Sequence, residues 1–338
     1  MTQAPRVVPG RAGGRVRRLY VRFAPPVVRS ALRAVRAGWR RLVGRWLPHP
    51  TKRAFALALP EPPVSARCSR RSGPRGLFRR RPLASVWIDV PRSLYVGRIL
   101  RRSGLACYES APVSCFLAAL ATLDCRLAFD IGANVGLYTL LGAGLTQARV
   151  VAFEPEPSIA AALAWTIRLN RLSARAEAVA VGAREGPAPL YISDTTDASN
   201  SLNPGFRHAT GTIEVPVVTL DGYCRSAGQW PELLKIDTET TEPDVLRGGP
   251  ELLGRRPWIL CEVLPGGAGS EIEGILGPLG YRWFQIADEM PPVERDRIVG
   301  HEALEASNWL FLPGPPPAGL WDAAIDWRRR IGDCQPLP

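Results

Sequence analysis

The chain has 338 residues, of which 46% are hydrophobic and 22% charged, with a formal net charge of +12. That apolar content supplies a sizeable core and excludes wholesale disorder. The charge is partitioned: residues 1–84 hold 21 Lys+Arg against one acid, Glu61, whereas residues 85–338 hold 22 against 30 acids. The high isoelectric point therefore describes a basic arm ahead of a mildly acidic body, and it does not argue for a nucleic-acid-binding fold.

Lysine occurs only at Lys52 and Lys235. With so much Ala, Gly and Pro, the arginine excess reads as high-GC bacterial coding and says little about chemistry. The seven cysteines are scattered without a CxxC pair, and the three histidines, His49, His208 and His301, lie far apart. Neither a disulfide framework nor a metal site is expected, and a reducing cytoplasm is the simpler location. No apolar run approaches the roughly 18 residues that span a bilayer, and the N-terminus lacks the apolar stretch of a secretory signal.

Residues 1–25 and 48–84, rich in Arg, Pro and Gly, are expected to be mostly disordered. Between them, Val28, Leu32, Val35, Trp39, Leu42 and Trp46 recur at spacings of three and four from Pro26 to Leu47, with arginines at other positions. This predicts a basic amphipathic helix suited to an anionic membrane surface, which would make the protein peripheral to a membrane. Packing of the same helix on the body, or capture of an acidic partner, fits the pattern too.

The body, residues 85–338, alternates strand and helix signals. Leu83–Val90 and Ser93–Ile99 read as strands, and Ala111–Leu123 as an apolar helix. Strands are then predicted at Arg126–Ile131, Arg149–Phe153, Ala174–Val181, Leu190–Ser193, Ile213–Val218, Leu233–Asp237, Trp258–Val263, Tyr281–Ile286 and Asn308–Leu312. Helices are predicted at Gly136–Leu145, Ser158–Asn170, Glu242–Leu253 and Ser270–Leu279. This is the signature of an α/β, Rossmann-like, doubly wound and mostly parallel sheet with helices on both faces. Ligands of such sheets bind at the carboxyl ends of the strands, near the switch in strand order.

Three strand ends carry chemistry. Phe129-Asp130-Ile131-Gly132-Ala133-Asn134-Val135-Gly136 marks the turn from the first buried strand into a helix, where Gly132 and Gly136 permit close approach of backbone to ligand. Glu154, at the end of the next strand, is placed to accept the ribose hydroxyls of a nucleotide cofactor. The spacing is G-x-x-x-G, and the acid Asp130 would repel a pyrophosphate. It suits a cofactor bearing an ammonium and a sulfonium, at roughly 1–4 kcal/mol per close charge pair. That favours S-adenosylmethionine over NAD or FAD. The third segment, Leu234 to Gly248, crowds Lys235, Asp237, Glu239 and Glu242 at one strand tip. A helix N-terminus that prefers acids accounts for Glu242 and Asp244, but not for Lys235 and Asp237 within the strand.

On these stretches the chain resembles the FkbM family of methyltransferases. The matching segments are FDIGANVGLYTLL (129–141), VVAFEPEP (150–157), AVAVGAREG (178–186), SNSL (199–202), VPVVTLDGY (215–223), LLKIDTETTEPDVLRG (233–248) and ILCEVL (259–264), in order over roughly residues 105–290. Thr240 stands where the family motif has Gly, and Tyr108-Glu109-Ser110 lacks the family's Pro. The resemblance implies a class I methyltransferase fold, S-adenosylmethionine held around Asp130, Gly132, Asn134, Gly136 and Glu154, and O-methylation of a small-molecule or glycan hydroxyl. Asp237 and Glu239, with Lys235 beside them, are the expected catalytic groups. His208, in the Gly-rich stretch Asn203–Gly211 that could form a lid, is a lesser candidate base, for which an exposed loop histidine is the more ordinary reading; Asn200 and Ser201 could hydrogen-bond cofactor or acceptor, and a plain loop role suits them equally. A catalytically silent nucleotide-binding module, or a nucleic-acid methyltransferase drawing on the basic arm, are the alternatives. The acidic motifs argue against the first and the acidic body against the second.

Overall fold

The computed structural model describes residues 54–60, 85–301 and 306–334. The helix expected over 26–47 lies outside the described residues. In chain order, strands β1 (Phe55–Ala58) and β2 (Ser85–Ile88) pair antiparallel as a ribbon. They lead to helices α1 (Tyr95–Ser103) and α2 (Ser110–Thr122). Then come β3 (Leu127–Ile131), α3 (Leu137–Leu145), β4 (Arg149–Phe153), α4 (Pro157–Leu169), β5 (Ala174–Glu177) and β6 (Ala180–Val181). They are followed by β7 (Gly186–Ser193), β8 (Ala209–Val218), α5 (Leu220–Ala227), β9 (Leu233–Ile236), α6 (Glu242–Arg247) and α7 (Pro250–Gly254). The chain closes with β10 (Trp258–Glu262), α8 (Ala268–Leu276), β11 (Arg282–Gln285), β12 (Val293–Arg295), β13 (Asn308–Leu312) and α9 (Leu320–Gly332).

The central eight-stranded sheet has the order β12-β11-β13-β10-β9-β3-β4-β5. From β10 to β5 all pairings are parallel, and β13, β11 and β12 join antiparallel. The chain leaves β3 toward β4 and later returns to its other side with β9, so the order reverses between β3 and β9. The crevice beyond their carboxyl ends is where such a sheet takes a ligand. Alternate strand residues feed two cores: Ala128, Leu233 and Leu260 face α2 and α9, while Phe129, Leu234 and Ile259 face α5 to α8. A separate three-stranded sheet, β6-β8-β7, carries the 194–208 loop to the same edge.

Local chemistry explains the framing helices. Every residue of α2 from Ser110 to Leu120 is buried, so this helix has no polar face and sits inside the layer. Helix α4 begins with Pro157 at its first turn, and the Glu156 carboxylate accepts from the Ser158 and Ile159 N–H groups at 3.1 and 3.0 Å.

One expectation is refined and one is corrected. Of the arm, Phe55–Ala58 pairs with β2, and Leu57 and Leu59 are buried in the core. A four-residue strand whose partner lies 27 residues downstream leaves no periodicity for a sequence reading to find. Residues 93–99, expected as a strand, belong mostly to α1. Its Val96, Gly97 and Leu100 are buried on one side, and Arg98 and Arg102 are exposed on the other.

Candidate active site

At the β3 tip the backbone turns sharply. Gly132 has φ +78°, and a Cβ there would lie 1.6 Å from the carbonyl oxygen of Asp237. Only glycine lets the β3 and β9 tips approach so closely. Asn134, at φ +47°, places its own N–H 2.8 Å from Glu154 Oε2, while the Glu156 N–H donates to Oε1 at 2.9 Å. Two backbone donors thus hold the Glu154 carboxyl, which is 6% exposed and borders a cavity of about 390 Å³. Burial pushes its pKa up to about 8 against those two hydrogen bonds.

Asp130 and Gly136 do not border that cavity. Asp130 Oδ2 accepts from the Thr139 N–H at 2.9 Å and from Thr139 Oγ1 at 2.6 Å, tying the strand end to α3. The direct charge contact with a cofactor expected of Asp130 is replaced by this internal brace. Gly136, at φ +87°, lets α3 start against α4, because a Cβ would meet Leu163 Cδ1 at 2.2 Å. Both residues shape the cofactor turn from behind.

Across the crevice, Lys235 is fully buried, with Nζ 2.9 Å from Asp237 Oδ2 and 4.9 Å from the centre of the Tyr138 ring. Burial alone would lower the lysine's pKa; Asp237, Glu109 and Glu262 outweigh it and hold the ammonium charged. The Tyr138 hydroxyl donates to Glu109 Oε2 at 2.6 Å. Asp237, Glu239 and Glu262 each bring a carboxylate oxygen within 4.8 Å of one another, at the tips of two adjacent strands. Burial and mutual repulsion push Glu239 up to about 9 and Glu262 well above the usual carboxylate range. No metal was expected from the histidines and cysteines. These three carboxylates are nonetheless the described set that could hold a cation, and adjacent strands, not sequence spacing, assemble them.

The 194–208 loop covers this side. Ser201 Oγ donates to the Glu239 carbonyl at 2.6 Å, and Asn203 Nδ2 donates to Thr240 Oγ1 at 2.8 Å. The loop of 238–240 is strained, with Glu239 at φ +57° and Thr240 at φ +81°. Both are left-handed positions, and a β-branched residue rarely occupies one.

Residues 130–283 match the model of the methyltransferase FkbM domain. The stretch that carries this match also contributes the tips of β3, β4, β9 and β10 around the cavity. The match spans 154 of the 338 residues. A protein named Methyltransferase 1, from Beauveria bassiana, is 27% identical over 166 residues, which cover 42% of this chain and 62% of that relative's length. Similar solved structures include an O-methyltransferase from Bacillus cereus in complex with SAH, 10% identical, covering 61% of this chain and 80% of that one at a TM-score of 0.35. Trm1 from Pyrococcus horikoshii, solved with S-adenosyl-L-methionine, is also 10% identical, covering 75% and 82% at a TM-score of 0.38.

The cofactor of the FkbM domain is S-adenosylmethionine, and the residues present fit it. Gly132 and Asn134 border the cavity at the β3 tip, Glu154 offers acceptor lone pairs beside them, and the wall also carries Glu109, Asp197, Asp237, Glu239 and Glu262 with one cation, Arg207. Such a lining offers hydrogen-bond acceptors to the ammonium and hydroxyl groups of the donor. Of the residues expected from sequence, Gly132, Asn134, Glu154, Asp237, Glu239, Asn200 and Ser201 border the cavity, and Lys235 braces it. His208 does not: its Nδ1 lies 2.8 Å from Asp194 Oδ2, with the side chain 82% exposed. Sequence reasoning missed Tyr108, Glu109 and Glu262 as site residues. An acid at the end of the apolar run Trp258–Cys261 was the signal for Glu262.

Proposed function

We propose that the protein is an S-adenosylmethionine-dependent O-methyltransferase acting on a hydroxyl of a sugar, glycan or secondary metabolite. The observation that carries this reading is the Lys235–Asp237 pair. It holds a carboxylate at the β9 tip, bordering the same cavity as Gly132, Asn134 and Glu154.

The bound cofactor supplies an electrophilic methyl group on a sulfonium. The chain's own residues align the acceptor and remove its proton. Asn134 and Glu154 hold the nucleoside end, and Asp237 accepts the hydroxyl proton as the oxygen attacks. Lys235, with Nζ 2.9 Å from Asp237 Oδ2, fixes its direction. Glu239 and Glu262, whose protons are retained by burial, serve as hydrogen-bond donors to the acceptor's other oxygens and not as bases.

Isothermal titration with S-adenosylhomocysteine tests the cofactor half, with a micromolar Kd expected. Incubation with radiolabelled S-adenosylmethionine and crude cell glycans tests the acceptor half. Binding of NAD with none of S-adenosylhomocysteine would overturn the reading.

Separately, we propose that the basic arm lies on an anionic membrane surface. Among the described residues no helix is long and apolar enough to cross a membrane. The basic region nevertheless continues into α1, whose Arg98, Arg101 and Arg102 follow 21 bases in residues 1–84. Co-sedimentation of the full chain with phosphatidylserine vesicles at low salt, lost at high salt, is expected. Indifference to such vesicles at low salt rejects surface binding.

A further inference from the structure

A second cavity of about 710 Å³ adjoins the first and shares Arg207 and Leu264 with it. Its wall includes Phe206, Thr240, Pro243 and Arg247. Of its charged groups, Arg247 is neutralised by Asp244 at 2.8 Å and by Glu271. Arg207 is different. It forms no ion pair with any described residue, and its guanidinium rests 4.8 Å from the centre of the Phe206 ring.

The loop that carries Arg207 is anchored. Ser201 and Asn203 bond to the 239–240 backbone and side chain, Asn203 Oδ1 accepts from the Gly205 N–H at 3.0 Å, and Asn203 O from the Phe206 N–H at 3.3 Å. The exposed guanidinium of Arg207 is therefore carried by an anchored loop to the boundary between the methyl-transfer cavity and the second one. Its charge acts on Glu239, on the β9 side, where the acceptor must lie. Thr240 is one of the anchors, alongside the Glu239 carbonyl.

We propose that Arg207 selects the acceptor: the hydroxyl-bearing substrate carries an anionic group, a carboxylate or a phosphate, that seats on the Arg207 guanidinium in the second cavity while its hydroxyl enters the first. A guanidinium presents two parallel N–H donors matched to either anion. Arg207 is the one cation lining the first cavity among the described residues, and Arg247, the other cation of the second, is paired with Asp244 and Glu271. This inference rests on the methyltransferase reading and names the substrate class of that same site.

The test uses the full chain saturated with S-adenosylhomocysteine at low salt. Titration with p-nitrophenyl β-D-glucuronide and p-nitrophenyl β-D-glucoside compares a carboxylate with its neutral counterpart, and glucose 6-phosphate against glucose does the same for phosphate. At least one anionic probe is expected to bind about tenfold more tightly than its neutral partner. Arg207→Gln abolishes that preference, Arg207→Lys retains part of it, and S-adenosylhomocysteine affinity stays within about twofold in both variants. The proposal is overturned if neither anionic probe is preferred, or if the preference survives Arg207→Gln. It is also overturned if Arg207→Gln weakens S-adenosylhomocysteine by tenfold, which would make Arg207 a partner of the cofactor's own carboxylate. Failure of the wild type to bind S-adenosylhomocysteine at all would instead reject the underlying methyltransferase reading.

Discussion

The two sides of the crevice are built on opposite terms. On the β3–β4 side the polar groups are satisfied by nearby backbone: both Glu154 oxygens accept N–H groups, and Asp130 is spent on Thr139. On the β9–β10 side, three carboxylates crowd within 4.8 Å, a lysine is buried among them, and two consecutive non-glycine residues are left-handed. On the proposed function, the side that would hold one fixed cofactor is preorganised and quiet, whereas the side that would move a proton keeps charges in tension, and the surrounding fold bears the strain.

The largest expected effect breaks the comparison on the reactive side. Asp237→Asn keeps the size of the side chain and removes the base, so turnover should fall by about 10²–10⁴-fold. S-adenosylhomocysteine affinity should stay within about twofold. Single-turnover rates and calorimetry read the two separately, and equal losses in both would make Asp237 a cofactor or structural residue.

A smaller effect belongs to the quiet side. Glu154→Ala should weaken S-adenosylhomocysteine by about 1–3 kcal/mol through lost hydrogen bonds to the ribose. Glu154→Gln, which keeps one acceptor oxygen, should lose less. An unchanged Kd in the alanine variant would remove Glu154 from the cofactor site.

The smallest effect concerns stability and pH. Burial, Asp237 and Glu242 lift Glu239 to about 9, so in the folded protein it keeps a proton that the unfolded chain releases near the usual carboxylate pKa. Its contribution to stability is full below that value and is lost as pH rises through about 9. Glu239→Gln carries no such proton, so its melting temperature should fall less than wild type between pH 5 and 9, by about 3 °C. Parallel melting curves for the two proteins would show that Glu239 is not held neutral. Glu154, lifted to about 8 by burial, adds a slope of the same sign in both proteins and cancels in the comparison.

The quiet side was legible because its determinants are local. Gly132, Asn134 and Glu154 lie within 22 residues of sequence, and their spacing follows from one strand-turn-helix-strand unit. On the reactive side only Lys235, Asp237 and Glu239 share a segment. Glu262 comes from the next parallel strand, paired one residue beyond the Cys261–Ile236 match. Glu109 arrives from the turn before α2, and Arg207 from a loop carried by a separate sheet. His208, adjacent in sequence to Arg207, points instead to Asp194 and solvent, which no spacing rule distinguishes.

By itself the amino-acid sequence determined the alternation of strand and helix, the glycine turn with its downstream acid, the acid-rich tip of β9 and the split between a basic arm and an acidic body. Each is a matter of period, of backbone freedom or of composition, and so is written along the chain. Tertiary structure alone decided which carboxylates face one another and that Asp130 braces a helix where it was expected to face a ligand. It also decided that Phe55–Ala58 joins the core and that an exposed arginine stands between two cavities. Those outcomes depend on which strands become neighbours and on how deeply each side chain is withdrawn from water. Burial and proximity, which raise the pKa of Glu109, Glu154, Glu239 and Glu262, arise only when the chain closes on itself.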